Sequence, residues 1–307
     1  MEKIIKTKDD KTIGFLLVFL ASICWGCTGI PTKNLANLGF DNYTISFFRS
    51  APAAIFYLLY CLIKNPNWLK VDFKGILFFI FYGVFVLSGC LLSFNIAINS
   101  LSIALGTMFL YTAQIWVVIL SYFMFKEKFT FNKVFAMILI FIGSSMMCGI
   151  FSGTNFSLNT KGVIWGIISG FTFALQIILA KVSNDKYHPN TLLTYSFIFG
   201  TLVLIPFMNM QNNIVILSKT YNISFILKNI AFGFVTTIIA NSSYVKSVQY
   251  IEASIASMVS SSELIIASVV GFIIFGETLS KTQIFGMIFI LFSIVLLQLK
   301  KYNKKLE

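Results

Sequence analysis

Apolar residues run along this chain in ten blocks, with the polar residues gathered between them. The blocks cover roughly residues 13–31, 43–63, 73–97, 101–125, 132–150, 161–181, 190–207, 223–246, 251–275 and 281–299. A helix that crosses the hydrocarbon core needs about 20 apolar residues, so each block is predicted to span a membrane. The joins, such as Lys64–Lys74, Lys126–Lys133, Asn184–Pro189 and Asn209–Tyr221, are short and polar. None is long enough to hold a soluble domain. The predicted fold is an all-α integral membrane protein of ten transmembrane helices.

Composition agrees with that reading. The chain is 57% hydrophobic and 11% charged, where a soluble domain carries about 25% charged residues. A net charge of +12 would suggest nucleic acid as the partner of a soluble protein. Here the lysines belong to loops and helix ends, so the expected surroundings are a lipid bilayer, and nucleic acid is not an expected partner. With the N-terminus inside, only Lys33, Arg49, Lys161, Lys219, Lys228 and Lys281 of the 23 Lys and Arg residues fall outside. The positive-inside rule then predicts a multi-pass protein of the plasma membrane with both termini cytoplasmic. Met1–Lys11 is polar and basic and no small-residue cleavage site follows the first block, so no removable signal peptide is expected.

The chain also repeats itself. At an offset of 148, Gly14 falls on Gly162 and Lys33 on Lys181. At an offset of 150, Ala104–Glu127 overlays Ser254–Glu277: Gly106 meets Ala256, Thr107 meets Ser257, Met108 meets Met258 and Glu127 meets Glu277. One repeat, residues 1–150, is therefore five helices, and residues 151–307 form the second. Five is odd, so the two copies must insert with opposite topology. Inverted repeats are a transporter signature, with the solute site near the midplane between the halves.

Several short motifs carry a family resemblance. They are Trp25-Gly26, Arg49 and the apolar run ending in Glu127 in the first half, with Ser262-Glu263 and Phe275-Gly276-Glu277 in the second. Their order and spacing resemble the drug/metabolite transporter superfamily, in its EamA-type branch of metabolite exporters. The resemblance covers essentially the whole chain. It implies ten spans, cytoplasmic termini and movement of a small organic solute, often outward. The chain departs from the family pattern in three places. Gln114 and Leu264 stand where the family usually has a proline that would kink the helix, and Phe173-Ala174 replaces a second Trp-Gly pair.

The sharpest single feature is Glu263, midway along the block 251–275. A charge at the bilayer centre costs roughly 2.5–3.5 kcal/mol on insertion scales, so such a residue is expected to be neutral, paired or facing a wet cavity. Helical spacing sets it in a lane of Ala253, Ala256, Ser260 and Ala267, beside a stripe of Ser254, Ser257, Ser261 and Ser268. Either the lane is a packing seam that holds a protonated carboxyl, or Glu263 faces solute and carries a proton. Thr107, Tyr111 and Gln114 form a polar stripe on the fourth helix that matches Ser257, Ser261 and Leu264 through the repeat. The two stripes either line one cavity or hydrogen-bond between helices. Thr237, Asn241 and Tyr244 repeat the pattern on the eighth helix, and Asn241 and Tyr244 are candidate solute contacts. Trp25, too deep for an interface anchor, lines the pocket or packs. Arg49, the sole arginine, either snorkels to the outer interface or clamps a carboxylate solute or Glu263. The candidate solute site is thus Trp25, Arg49, Thr107, Tyr111, Gln114, Asn241, Tyr244, Ser257, Ser261 and Glu263.

Enzyme chemistry finds no support. His188 is the sole histidine, and no metalloprotease, nucleophile-elbow or phosphate-cradling motif occurs. The Cys24–Cys27 pair lies within an apolar block with no histidine nearby and reads as buried thiols rather than a metal or redox site. No cofactor or metal is expected. The function expected is secondary active export of a small metabolite such as an amino acid, by alternating access, with protons as a candidate coupling ion. The alternatives are uncoupled exchange of an amine-bearing solute, or a non-transporting scaffold or lipid-handling protein.

Overall fold

Small side chains decide which helices lie against which. The computed structural model describes residues 8–101, 103–150, 159–220 and 222–299, and every regular element among them is helical. Eight helical stretches are long and apolar enough to cross a membrane. They are α1 (Asp10–Asn37), α2 (Asn42–Lys64), α3 (Phe73–Ser100), α4 (Leu105–Phe125), α6 (Thr160–Asn184), α7 (Pro189–Phe207), α8 (Ile223–Tyr250) and α9 (Ala253–Phe275). Two shorter apolar helices, α5 (Phe131–Met147) and α10 (Lys281–Leu297), occupy the remaining blocks. Seventeen residues rise about 26 Å, slightly less than the roughly 30 Å hydrocarbon core.

Glycines let the backbones approach. A side chain at Gly14 would strike Ile251, and one at Gly26 would strike Ile266 and the Glu263 carbonyl, so α1 runs beside α9 in the same direction. In the same way Gly162 abuts Leu101 and Gly170 abuts Thr112 and the Phe109 carbonyl, so α6 runs beside α4. Gly83 brings α3 against Ser196 and Phe199 of α7, and Gly233 brings α8 against Arg49 and Pro52 of α2. α4 and α9 cross antiparallel, since Tyr111 bonds Glu263, Gln114 bonds Ser261 and Glu127 reaches Ala253. Gly143 and Gly286 meet backbone to backbone, which pairs α5 with α10. Two cores result. One joins Val18, Val117, Ile177 and Val259 from α1, α4, α6 and α9, and the other joins Tyr57, Phe79, Leu192 and Ile238 from α2, α3, α7 and α8. Phe123 and Ile273, 74% and 71% exposed, belong to an outer surface that only lipid would cover.

Several of these helices are irregular where they pass the centre. α1 breaks at Cys27–Thr28, between the Gly26, Gly29 and Pro31 that favour a bend. α4 breaks at Tyr111–Thr112 and α9 at Ser261, although neither has the family's proline there. Tightened turns produce these breaks: the Gln114 N–H donates to the Tyr111 carbonyl (3.4 Å) and the Leu264 N–H to the Ser261 carbonyl (3.1 Å). α3 and α8 widen into π-helical turns at Tyr82–Ser88 and Phe234–Ile239. Backbone oxygens there receive side-chain donors instead. The Ser88 hydroxyl donates to Gly83 O (3.1 Å) and the Tyr57 hydroxyl to Ile238 O (2.9 Å). Irregular backbone is tolerated at this depth only where protein or a cavity satisfies it.

Candidate solute site

The candidates gather into two groups that adjoin at α1. In the first, the antiparallel crossing of α4 and α9 sets Tyr111 against Glu263, and the phenol hydroxyl donates to the Glu263 carboxylate. Three residues on, the Gln114 amide donates to the Ser261 hydroxyl at 2.8 Å. The Gln114 carbonyl oxygen is buried with no hydrogen-bond partner. Thr107 lies one turn before Tyr111, and its carbonyl accepts the Tyr111 N–H at 3.1 Å. Ser257 is buried one turn before Ser261, and its carbonyl accepts from the Ser260 hydroxyl. Glu263 lies deep among protein atoms yet keeps accessible surface. Glu263 itself does not line the hollow that the second group walls. Ala113 occupies the Glu263 position in the other half, so the acid belongs to one half alone.

The second group walls a small hollow of about 30 Å³, room for about one water in this state. Trp25 of α1 and Asn241 and Tyr244 of α8 all line it. The Trp25 and Tyr244 rings meet at 5.2 Å. The Tyr244 hydroxyl is buried without a hydrogen bond in good geometry, although Ser260 stands beside it. Asn241 turns its amide back to the Thr237 carbonyl at 2.8 Å. The groups connect through α1, because Gly26, next to Trp25, rests on the Glu263 backbone. Arg49 touches neither group by hydrogen bond. It is partly buried on α2 and acts on Glu263 only across electrostatic range.

Sequence reasoning missed several residues of the hollow. Tyr82, Phe173, Ser196 and Phe197 line it, and Gln176 is there as well. Gln176 donates to Val86 O at 3.4 Å, and Tyr82 donates to Gln176 O at 3.0 Å. The repeat contained a signal for Phe173, which falls on Trp25 at the offset of 148. No periodicity pointed to Tyr82, because its direction is set by the π-helical turn.

Charge at the Glu127 end is tightly paired. Glu127 accepts from Lys181 at 2.8 Å, with Lys133 at 3.7 Å, and Lys133 also pairs directly with Glu252. Burial alone would push the Glu127 carboxyl up. Lys181, the Ser254 hydroxyl and Lys133 overcome it and hold the group below the usual carboxylate range. Asp41, the N-cap of α2, is likewise held low: partial burial opposes this, but the Thr44 hydroxyl and the amides of Thr44, Asn209 and Tyr43 outweigh it.

A helical bundle with irregular, polar mid-sections around a hollow is the construction of a membrane transporter. The EamA-like transporter family matches residues 12–149 and again 160–299, and the chain belongs to that family. An uncharacterized transporter of Archaeoglobus fulgidus is 26% identical over 92% of this chain and 95% of its own length. The uncharacterized inner membrane transporter YicL of Salmonella typhimurium is 20% identical over 93% of this chain and 95% of its own. A solved structure titled only as the crystal structure of a protein superposes with a TM-score of 0.77 at 12% identity, covering 96% of this chain and 99% of the other. That likeness extends to the fold alone. The protein is therefore a multi-pass membrane transporter, and the scaffold alternative falls away.

Proposed function

We propose that the protein is a secondary transporter exporting a small organic solute of amino-acid size and polarity, with Glu263 taking up and releasing a proton in each cycle. Two inverted five-helix halves, residues 1–150 and 151–307, move by alternating access across ten spans, in the plasma membrane with both termini cytoplasmic. The observation that carries this reading is the Tyr111–Glu263 pair, a lone acid deep in the bundle that keeps accessible surface beside a hollow lined by Trp25, Asn241 and Tyr244. Unpartnered polar atoms on Gln114 and Tyr244 supply hydrogen-bonding capacity that a polar solute or water would use. The halves are supported by contacts that recur at the repeat offsets: Gly14 on Ile251 and Gly162 on Leu101, Gly83 on Phe199 and Gly233 on Arg49. Two separate family matches support the same division. Export is the direction that the family resemblance favours.

A second reading draws on Glu263 differently. An acid and three nearby aromatic rings (Trp25, Tyr111 and Tyr244) also suit an amine-bearing solute exchanged without proton coupling. A thermal-shift screen of the purified protein against amino acids, amines and nucleosides separates solute classes, followed by counterflow of any stabilising solute in liposomes. Stabilisation and counterflow by a zwitterion support the first reading. Stabilisation by simple amines alone, with flux indifferent to a pH gradient, supports the second. If no small polar solute stabilises or exchanges, the hollow is not a solute site.

A further inference from the structure

The two ends of the α4–α9 pair carry the same groups in different states. After α4, Lys126 turns left-handed (φ 54°) and the Glu127 N–H returns to Ser121 O at 3.3 Å. After α9, Gly276 does the same (φ 66°) and the Glu277 N–H returns to Gly271 O at 3.2 Å. Lys181 lies 4.6 Å over the Phe125 ring and pairs with Glu127 at 2.8 Å. Lys33 lies 4.1 Å over the Phe275 ring and pairs with Glu277 at 3.0 Å. Turn, ring, lysine and carboxylate are thus duplicated.

The carboxylates differ in what else they do. Glu127 is buried and accepts the N–H groups of Ala253 (3.0 Å) and Ser254 (3.4 Å) together with the Ser254 hydroxyl. It therefore closes the free N-terminal amides of α9, where a helix favours negative charge. The Lys33–Glu277 pair lies in the open, with side chains 47% and 56% exposed. α4 and α9 are antiparallel and cross at Tyr111 and Glu263, so the C-terminal glutamate of each lies at the end where the other begins. A rocking motion about that crossing would bring one glutamate onto its facing helix start while withdrawing the other.

We propose that Glu127 and Glu277 are two copies of one carboxylate latch, engaged alternately at opposite ends of the hollow. Here the Glu127 latch is shut. In the alternate state Glu127 releases Ala253 and Ser254, and Glu277 docks on the amides of Ile103 and Ala104, which hold the corresponding places at the start of the helix leading into α4. This inference rests on the alternating-access reading above, and it makes Lys33, Lys181 and both glutamates positioning residues for transport rather than solute contacts.

Hydrogen exchange with mass spectrometry on the full-length wild type, Glu127→Gln and Glu277→Gln in detergent or nanodiscs tests it. Glu127→Gln should make amides of residues 253–260 exchange about tenfold faster and those of 103–110 correspondingly slower. Glu277→Gln, whose exposed position spares the fold, should shift both segments the opposite way. The proposal is overturned if Glu127→Gln loosens 253–260 and leaves 103–110 unchanged or loosened, or if Glu277→Gln leaves both segments as in the wild type. Solute counterflow by the same preparations keeps the two readings apart: wild-type flux without the reciprocal shift removes the latch and leaves the transporter standing.

Discussion

At the residue scale, the Tyr111–Glu263 contact organises the site, and its partners could be only half read from sequence. Glu263 was legible because one ionisable group stood within an uninterrupted apolar run. Tyr111 was legible as a member of a polar stripe. That the two meet was not, since they are 152 residues apart and only the crossing of α4 and α9 joins them. Arg49 carries the opposite charge but sits on α2, outside hydrogen-bond reach of the acid. Tyr111→Phe should cost about 1.5–3 kcal/mol, the usual range for a hydrogen bond to a charged group. Unfolding of the purified variants measures it. In a double-mutant cycle with Glu263→Gln the two losses should be non-additive, whereas simple additivity would mean that the contact contributes nothing. Glu127 makes a pH prediction. Its folded carboxyl lies below the ordinary 4.5, so its stabilisation is complete above 4.5 and is lost as pH falls through the lower folded value. Thermal unfolding of wild type and Glu127→Gln across pH 3 to 7 should therefore converge at the acid end.

Elements show why helix positions were easier to foresee than helix shapes. Blocks of apolar residues fixed where helices occur, because burial in lipid demands them wherever the run is long enough. The breaks and π-helical turns depend on side chains from other helices, such as Tyr57 of α2 answering the Ile238 carbonyl of α8. Tyr57 is buried and also meets Ser242 at 2.7 Å. Tyr57→Phe should lower stability by about 1 kcal/mol or slightly more and straighten the α8 turn, read as slowed exchange of amides following Ile238. The α5–α10 contact is a harder constraint. A Cβ at Gly286 would meet the Gly143 carbonyl, a backbone atom that no rotamer change can move aside. Gly286→Val should therefore destabilise by about 1–3 kcal/mol, the usual cost of overpacking. An unchanged melting temperature would mean that the pair separates freely.

Over the whole molecule, the internal repeat was the most informative thing in the sequence. It set Gly14 on Gly162 and Lys33 on Lys181; Gly14 meets Ile251 as Gly162 meets Leu101, and Lys33 pairs with Glu277 as Lys181 pairs with Glu127. It could not foretell which end is closed, because both ends hold the same residues and only the packing distinguishes a buried Glu127 from an exposed Glu277. Nor does symmetry extend to chemistry, with Glu263 matched by Ala113. Under the proposed mechanism, that asymmetry leaves a single acid to carry the proton. Proton-driven accumulation of a transported solute in liposomes, measured for wild type and Glu263→Gln beside solute counterflow without a pH gradient, tests this most directly. The prediction is that Glu263→Gln loses accumulation and keeps counterflow. Accumulation equal to that of the wild type would contradict it.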